Sequence, residues 1–311
     1  MHLYIACPGY LAGGGSGATI GGRRWAIATH RIYRTTAYRY PRERLILALT
    51  LLLVLFVIAL TATATVCLSG VFVLAMVAIS YAANRRHHQA LLGQAAPVTR
   101  RDTPGLAALV AESAARLQVG SVRVFVVPHD TLNAYTFGLS SPKVVVLHSP
   151  LLRAMDGDEL RFVLGHELGH VRLGHTWLNS LVGGMAGIPS PFLASALLAM
   201  AFLWWNRACE YSADRAGLLA CGEPRKAISA LVKLAAGADA RTRADLERAL
   251  RRIEAEDDHL VGELGEVLAT HPMTLRRIEE LRRYASSGEY RRLRTLVERN
   301  VAAAVGRVDG F

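Results

Sequence analysis

The stretch Gly165-His-Glu-Leu-Gly-His170 decides the fold, because it predicts a helix that carries a metal site. In a helix, His166 and His170 lie one turn apart on the same face, so both imidazoles can bind one metal ion. Glu167 is offset by one residue and flanks that ion, where it can hold a water molecule and accept its proton. A core helix with two hydrogen-bonded histidines is the alternative interpretation of so short a pattern.

The residues on either side of this motif also favour a helix. Asp156 to Glu159 offer an N-cap and early acidic groups, which suit the positive end of a helix. Apolar residues then recur at helical spacing, at Leu160, Leu164, Leu168 and Val171. This spacing predicts a buried stripe beside the histidines.

The composition indicates membrane segments beside a globular part. The chain has 311 residues, a formal net charge of +11 and 52% hydrophobic residues, and this length suggests one or two domains. The arginine clusters lie beside apolar runs, and no RNA- or DNA-binding signature accompanies them, so a lipid bilayer is favoured over nucleic acid as the partner. The four cysteines form no C-x-x-C pair, which indicates free thiols in a reducing compartment.

The first apolar run predicts a transmembrane hairpin. Residues 1–44 are rich in glycine and arginine and are expected to form a basic, weakly ordered extension. Residues 45–83 carry no charge and are long enough to cross a bilayer twice, in two helical segments at roughly 45–62 and 66–83. Residues 61–65 and Ser69-Gly70 mark the predicted turn. A single long tilted helix is the competing interpretation. Because arginines flank both ends and the turn has none, both ends are predicted to lie in the cytoplasm, in a multi-pass protein of the inner or plasma membrane.

The part that follows, residues 84–311, is predicted to form one cytoplasmic domain. Residues 103–117 have the pattern of an amphipathic helix, and residues 122–127 and 144–147 have the composition of strands. Thr270-His-Pro272 lies in a predicted break between helical stretches. The sequence contains no internal repeat.

A second apolar run lies at residues 177–205, which are also uncharged. It is too short for two membrane crossings. A single crossing would put the downstream residues on the other side of the bilayer. We therefore expect a hairpin that dips into the membrane, with Trp204 and Trp205 near its interface, or else a hairpin in the core.

Two histidines leave a catalytic metal site incomplete, since such a site usually takes three protein ligands and one water. Glu210 is the best candidate for the third ligand, because it opens Glu210-Tyr-Ser-Ala-Asp214 on what is predicted to be a second helix. Asp214, one turn later on the same face, can accept a hydrogen bond from a ligand imidazole. The alternative is an ordinary solvated helix carboxylate.

Taken together, these motifs resemble the M48 family of zinc metallopeptidases, over roughly residues 40 to 295. The resemblance rests on the His166–His170 helix, Glu210-x-x-Ala-Asp214, the Asn133-Ala134 segment before a strand, Thr270-His-Pro272 and the upstream hairpin. It implies a zincin-type fold, mostly α with a small β-sheet (α+β). It also implies one Zn²⁺ per chain bound by His166, His170 and Glu210, with Glu167 as the general base and Asp214 behind the ligands.

The resemblance extends to substrate binding. It implies that His271 assists the oxyanion or contacts substrate, and that Asn133 and the edge formed by 144–147 hold the substrate as an added β-strand. A structural role in a loop is the alternative for His271. Three further histidines, His129, His148 and His175, are expected to be surface or structural residues.

The function expected from these features is a membrane-anchored zinc endopeptidase that acts on protein or peptide substrates, in protein quality control by family resemblance. Two alternatives are a BlaR/MecR-type signalling peptidase and a non-catalytic, zinc-stabilised scaffold. The absence of a recognisable extracellular sensor domain disfavours the first. The intact Glu167 disfavours the second, since a structural site has no need of that carboxylate.

Overall fold

Helices form most of the structure, a computed structural model that describes residues 37–64, 92–138, 142–176, 193–236 and 270–305, with isolated positions between 75 and 86 and at 248. The helices are α1 (Glu43–Ala64), α2 (Pro104–Leu117), α3 (Leu151–Ala154), α4 (Gly157–Leu173), α5 (Leu193–Cys221), α6 (Pro224–Ala236), α7 (Thr270–Ala285) and α8 (Gly288–Val305). The strands are β1 (Ala96–Pro97), β2 (Val122–Val127), β3 (Ala134–Phe137) and β4 (Lys143–His148). The expectation of a mostly helical protein with a small sheet is confirmed.

The four strands form one mixed sheet in the order β1-β2-β4-β3. Strand β4 runs parallel to β2 and antiparallel to β3, with Thr136 opposite Val145. The predicted strand at 144–147 is therefore real but lies inside the sheet, and the prediction that it forms an edge is wrong. The edge on this side is β3, which the sequence pattern did not identify as a strand.

The histidine motif lies on α4, and the predicted start of this helix is confirmed. The Asp156 side chain accepts hydrogen bonds from the backbone N–H groups of Asp158 and Glu159, each at 3.0 Å. The Glu159 carboxylate accepts in return from the Asp156 N–H at 2.9 Å, which completes a capping box. At the other end Gly174 takes a left-handed conformation, with φ of 80°, and ends the helix.

Helix α4 crosses α5 closely because glycines line the contact. A Cβ atom added at Gly165 would lie 2.4 Å from the Ala220 Cβ, and one added at Gly169 would lie 2.6 Å from the Ala216 Cβ. Both distances are far below van der Waals contact. The two helices can therefore approach only because these positions lack side chains, and this approach faces the histidines of α4 toward α5.

The core lies between the sheet and the helices. Residues that are fully or almost fully buried come from α2, β2, β4, α4 and α5, and they include Leu117, Val122, Leu147, Phe162 and Leu218. The buried stripe predicted for the histidine helix is confirmed at Leu160, Leu164 and Leu168.

Helix α1 packs against α5 through Ile46, Trp205, Ala208 and Cys209, all of them buried. Trp205 is therefore a core residue and not an interfacial one, whereas Trp204 is 48% exposed. The end of the second apolar run, 193–205, is the first part of α5, and residues 177–192 lie outside the described residues.

The outer face of α1 exposes large apolar side chains, including Leu45, Leu52, Leu55 and Phe56, at 55% to 63%. Within the described residues, no helix combines the length and the apolar character needed to cross a bilayer. Residues 1–36 and most of the predicted second hairpin segment, 66–83, lie outside the described residues. The hairpin stays a prediction. Residues 37–44, assigned to the weakly ordered extension, include the fully buried Tyr38.

Candidate metal centre

Three side chains from two helices meet at one point. The Nε2 atoms of His166 and His170 lie 3.2 Å apart. One carboxylate oxygen of Glu210 lies 3.5 Å from the His166 Nε2, and the other lies 3.5 Å from the His170 Nε2. Atoms that each bind a tetrahedral zinc at about 2.0–2.1 Å are about 3.3 Å from one another. The spacing of these donors therefore fits a metal ion of this size.

The two helices explain why these groups meet. His166 and His170 are one turn apart on α4, and Glu210 lies on the helix that crosses it. The Glu210 side chain is 22% exposed, while the histidine side chains are about half as exposed. The cluster thus opens to solvent on one side, as a catalytic metal site must in order to admit water and substrate.

The other ring nitrogen of His166, Nδ1, has a hydrogen-bond partner as well. Its Nδ1 lies 2.9 Å from the Oδ1 of Asp214. Because Nε2 faces the other donors, Nδ1 carries the proton and donates it to Asp214. Asp214 is itself buried and accepts two hydrogen bonds from Arg277, at 2.8 and 2.7 Å. The predicted contact between Asp214 and a ligand imidazole is present, and an arginine stands behind it.

Arg277 is a member of the site that the sequence pattern did not single out. Besides its two bonds to Asp214, its Nη1 lies 3.0 Å from the Oε2 of Glu210. Its neighbour Arg276 is exposed, and only the packing of α7 against α5 distinguishes the two. Two neighbouring carboxylates, those of Asp214 and Glu210, require a nearby cation. This requirement was the one feature of the sequence that could have predicted an arginine at the site.

The charges around the donors favour a cation. Burial alone would lower the pKa of His166, but hydrogen bonds and charges from Asp214 and Glu210 outweigh it and raise that pKa to about 10. Burial alone would likewise raise the pKa of Glu210, but Arg277 and the two histidines hold it well below its usual range. Two ionised carboxylates thus surround one buried imidazole pair, which is an environment that suits a positive ion.

Glu167 follows His166 directly in α4 and is not one of the three members of this group. Its side chain is buried, and its Oε2 accepts a hydrogen bond of 2.6 Å from the hydroxyl of Thr136. Thr136 belongs to the edge strand β3. The sequence pattern gave Thr136 no role, because its contact with Glu167 depends on how the sheet packs against α4.

His175 was expected to be a surface or structural residue, yet it is buried against the site. Its Nδ1 lies 3.0 Å from the Nδ1 of His170, and its Nε2 lies 3.1 Å from the Oε1 of Glu43. Glu43, His175 and Cys209 also place their potential ligand atoms within 4.8 Å of one another. Burial, together with the neighbouring positive charges, lowers the pKa of His175 well below its usual value.

The other two histidines form a separate pair. The rings of His129 and His148 stack with centroids 4.2 Å apart, and both interact with Thr131. His148 is buried and His129 contacts Thr131 at the surface. These positions agree with the expected surface or structural roles.

The two predicted substrate contacts differ in how far the structure describes them. Asn133 is exposed at the start of β3, and its carbonyl oxygen accepts a hydrogen bond from the His148 N–H at 3.0 Å. Thr270-His-Pro272, expected in a break between helices, forms the first turn of α7. The His271 side chain lies outside the described part of the chain.

Comparison with known proteins agrees with this geometry. The model of peptidase family M48 matches residues 100–285, which include both histidines, Glu210 and Arg277. A protease HtpX homolog from Moorella thermoacetica is 30% identical over 260 residues, covering 71% of this chain and 85% of that protein. A protease HtpX homolog from Thermococcus kodakarensis is 27% identical over 221 residues, covering 60% of this chain and 76% of that protein.

A third relative is the plastoglobule-localized metallopeptidase 48, chloroplastic, of Arabidopsis thaliana. It is 28% identical over 216 residues, covering 65% of this chain. The match spans 63% of the length of that plant protein, which is less than two thirds. The family model, in contrast, covers more than half of this chain and contains the whole candidate centre. The chain therefore belongs to peptidase family M48, as an HtpX-like metallopeptidase.

Proposed function

We propose that this protein is a zinc-dependent endopeptidase in which His166, His170 and Glu210 hold one Zn²⁺ and Glu167 is the general base. One observation carries the proposal: the potential ligand atoms of His166, His170 and Glu210 all lie within 4.8 Å of one another. This donor set is typical of catalytic zinc sites that keep a position open for water. The HtpX homologs, named as proteases, support the same reading.

In the proposed reaction, His166, His170 and Glu210 would hold a metal ion, whose charge would polarise the scissile carbonyl and make a bound water more acidic. Glu167 would accept a proton from that water as its oxygen adds to the scissile carbonyl carbon, and would then deliver the proton to the amine that leaves when the C–N bond breaks. Thr136 donates to Oε2 of Glu167 and thereby restricts the rotation of this carboxylate. Asp214 and Arg277 hold the His166 ring in place during this proton transfer.

The substrate is proposed to bind as an added strand along β3, which lies at the edge of the sheet in the part of the chain that the structure describes. An extended peptide there would pair with the backbone of Ala134–Phe137, next to the Asn133 proposed as a contact. Because Thr136 of this strand contacts Glu167, a peptide on this edge would lie beside the proposed base. Strand β4 has no free edge, so it serves only to support β3.

The further proposal of membrane anchoring rests on α1 and the uncharged run 45–83. Leu45, Leu52, Leu55 and Phe56 of α1 are each more than half exposed, and arginines flank the run. We place the catalytic domain on the cytoplasmic side, acting on misfolded or membrane proteins in quality control. Reporter fusions at residue 40 and at the C-terminus should indicate the same side, and opposite sides would overturn the hairpin.

The activity is tested by comparing the wild type with Glu167→Gln and with a surface control, Glu298→Gln. Casein cleavage and zinc content should be measured on the same purified samples. We expect Glu167→Gln to keep one zinc and to lose cleavage, because the amide cannot accept the proton, while Glu298→Gln behaves as wild type. Normal cleavage by Glu167→Gln would overturn the assigned base. A wild type that binds zinc but cleaves no protein would favour a zinc-stabilised scaffold.

A further inference from the structure

The second metal-facing imidazole, that of His170, has a buried partner on the side away from the metal position. Its Nε2 faces His166 and Glu210, so its Nδ1 must carry the ring proton when a metal is bound. That Nδ1 lies 3.0 Å from the Nδ1 of His175. Two N–H groups cannot hydrogen-bond each other. The Nδ1 of His175 must therefore be unprotonated and accept the bond from His170.

This assignment fixes the other nitrogen of His175. A neutral imidazole has one N–H group and one acceptor. With Nδ1 as the acceptor, Nε2 carries the proton and points at the Oε1 of Glu43, 3.1 Å away. His175 and Glu43 are 2% and 1% exposed, so water does not compete for these bonds. A directed chain thus runs from His170 through His175 to Glu43.

The carboxylate at the end of this chain is held by both ligand-bearing helices. Arg39 forms an ion pair with Glu43 and also donates to the carbonyl oxygen of Leu173, the last residue of α4, at 3.0 Å. Ser212 of α5 donates its hydroxyl proton to the other oxygen of Glu43. Glu43 therefore cannot rotate away without breaking its contacts to Arg39 and to Ser212 of α5.

The two halves of the metal centre then have matching supports. His166 donates directly to Asp214, which Arg277 neutralises. His170 donates through His175 to Glu43, which Arg39 neutralises. Each ring is thus anchored to a buried carboxylate with its own arginine.

We propose that His175 and Glu43 are positioning residues for the metal ligand His170, a role that rests on the proposed metal centre. The hydrogen bonds from His170 to His175 and from His175 to Glu43 fix the ring orientation and the proton position of His170 before the metal binds. Groups that hydrogen-bond a ligating histidine typically change metal affinity by about 10–100-fold when removed. Because Glu43 is the first residue of α1, the start of that helix becomes part of the support of the metal site.

A rival use of the same cluster is a second metal ion bound by Glu43, His175 and Cys209. Two observations disfavour it. The Glu43 oxygens are already engaged by Arg39 and Ser212, so the carboxylate is neutralised without a metal. The Nε2 of His175 must donate to Glu43, whereas a metal would require its lone pair. The number of metal ions bound per protein distinguishes a second metal site from a positioning role.

The test measures zinc affinity, by competition with a chelator, and zinc equivalents on the full-length protein. His175→Phe and Glu43→Leu should each bind zinc about 10–100-fold more weakly and still reach one equivalent at saturation. His175→Gln and Glu43→Gln, which keep a neutral hydrogen-bonding group, should lose less. Cys209→Ala is the matched control from the same buried cluster and should bind zinc as the wild type does.

A spectroscopic readout distinguishes positioning from a general loss of stability. In the Co²⁺-substituted protein, His175→Phe should change the visible absorption bands, because the His170 ring is no longer fixed. His175→Gln should partly restore them, and Cys209→Ala should leave them unchanged. The four support variants also allow the test to proceed if one of them fails to fold.

Three results would contradict the proposal in different ways. Wild-type affinity and an unchanged cobalt spectrum in His175→Phe would overturn the positioning role alone. Two zinc equivalents in the wild type and one in Cys209→Ala would show that the cluster is a second metal site. A wild type that binds no zinc would overturn the proposed metal centre together with its support.

Discussion

The hydroxyl of Thr136 lies 2.6 Å from the Oε2 of Glu167 and donates a hydrogen bond to it. This contact joins the edge strand β3 to the helix that carries the histidine motif. It means that the strand proposed to bind substrate also holds the proposed base. Substrate alignment and base orientation therefore depend on the same short segment.

Replacing Thr136 by Val should lower kcat about tenfold while leaving one zinc bound, because Glu167 loses the group that fixes its carboxylate. Thr136→Ser keeps the hydroxyl and should retain most of the activity. Steady-state kinetics with a fluorogenic peptide, together with zinc analysis, measures both quantities. An unchanged kcat in Thr136→Val would show that this hydrogen bond does not support the reaction.

Removing Arg277 should destabilise the metal-free protein. Arg277→Met leaves the buried carboxylate of Asp214 without its counter-ion, and breaking a buried pair in this way typically costs about 3–5 kcal/mol. Arg277→Lys should rescue only part of the loss, since an ammonium cannot donate two parallel bonds to Asp214.

The matched control is Arg276→Met, at the exposed neighbouring position. Urea denaturation of the metal-free proteins gives the free energy of unfolding of each variant. An equal decrease in the free energy of unfolding in the two methionine variants would show that the Asp214–Arg277 pair does not stabilise the protein.

The close crossing of α4 and α5 should not tolerate a methyl group at Gly165. The added Cβ would lie 2.4 Å from the Ala220 Cβ, so the helices must separate. We expect Gly165→Ala to lower the free energy of unfolding by about 1–3 kcal/mol and to weaken zinc binding.

Gly157→Ala is the control for this experiment, since no atom lies within 4 Å of its added Cβ. It should be neutral or slightly stabilising. Both values follow from chemical denaturation and chelator competition. A Gly165→Ala protein as stable as Gly157→Ala, with wild-type zinc affinity, would contradict the requirement for close contact.

The sequence alone was enough to predict the elements that carry the proposed ligands. His166, Glu167 and His170 are defined by local helical spacing, and the capping residues Asp156 and Glu159 mark where the helix begins. Glu210 and Asp214 follow the same spacing on α5. The donor set could be predicted from the sequence because each of its two motifs, on α4 and on α5, lies within a few consecutive residues.

What could not be predicted depends on contacts between distant segments. Strand β3 has only four residues, and its place at the edge is set by pairing with β4. Arg277 and Arg276 are adjacent and chemically identical, so only the packing of α7 distinguishes them. His175 obtains its partner Glu43 from a helix 132 residues earlier in the chain.

Zinc affinity should depend on pH through His166. Its folded pKa of about 10 lies above the ordinary value of 6.5. The protonated form therefore stabilises the metal-free fold fully below about pH 6.5, and this contribution is lost as pH rises through about 10. Zinc must displace that proton, so its affinity should rise about tenfold per pH unit between about pH 6.5 and 8.5.

Chelator competition at several pH values measures this slope. In Asp214→Asn the slope should be shallower, because one of the two carboxylates that raise the pKa of His166 has lost its charge. An affinity independent of pH in the wild type over the same range would contradict the electrostatic account of the site.

The most direct test of the proposed metal centre is the zinc content of Glu210→Ala beside that of the wild type. Glu210 is the one proposed ligand that comes from a second helix, so it tests both the donor set and the helix crossing. Each protein should be loaded with zinc, freed of excess, checked for folding by circular dichroism and analysed for metal. We predict one equivalent of zinc in the wild type and almost none in a folded Glu210→Ala. A folded Glu210→Ala that keeps one equivalent with wild-type affinity would show that the third ligand lies elsewhere.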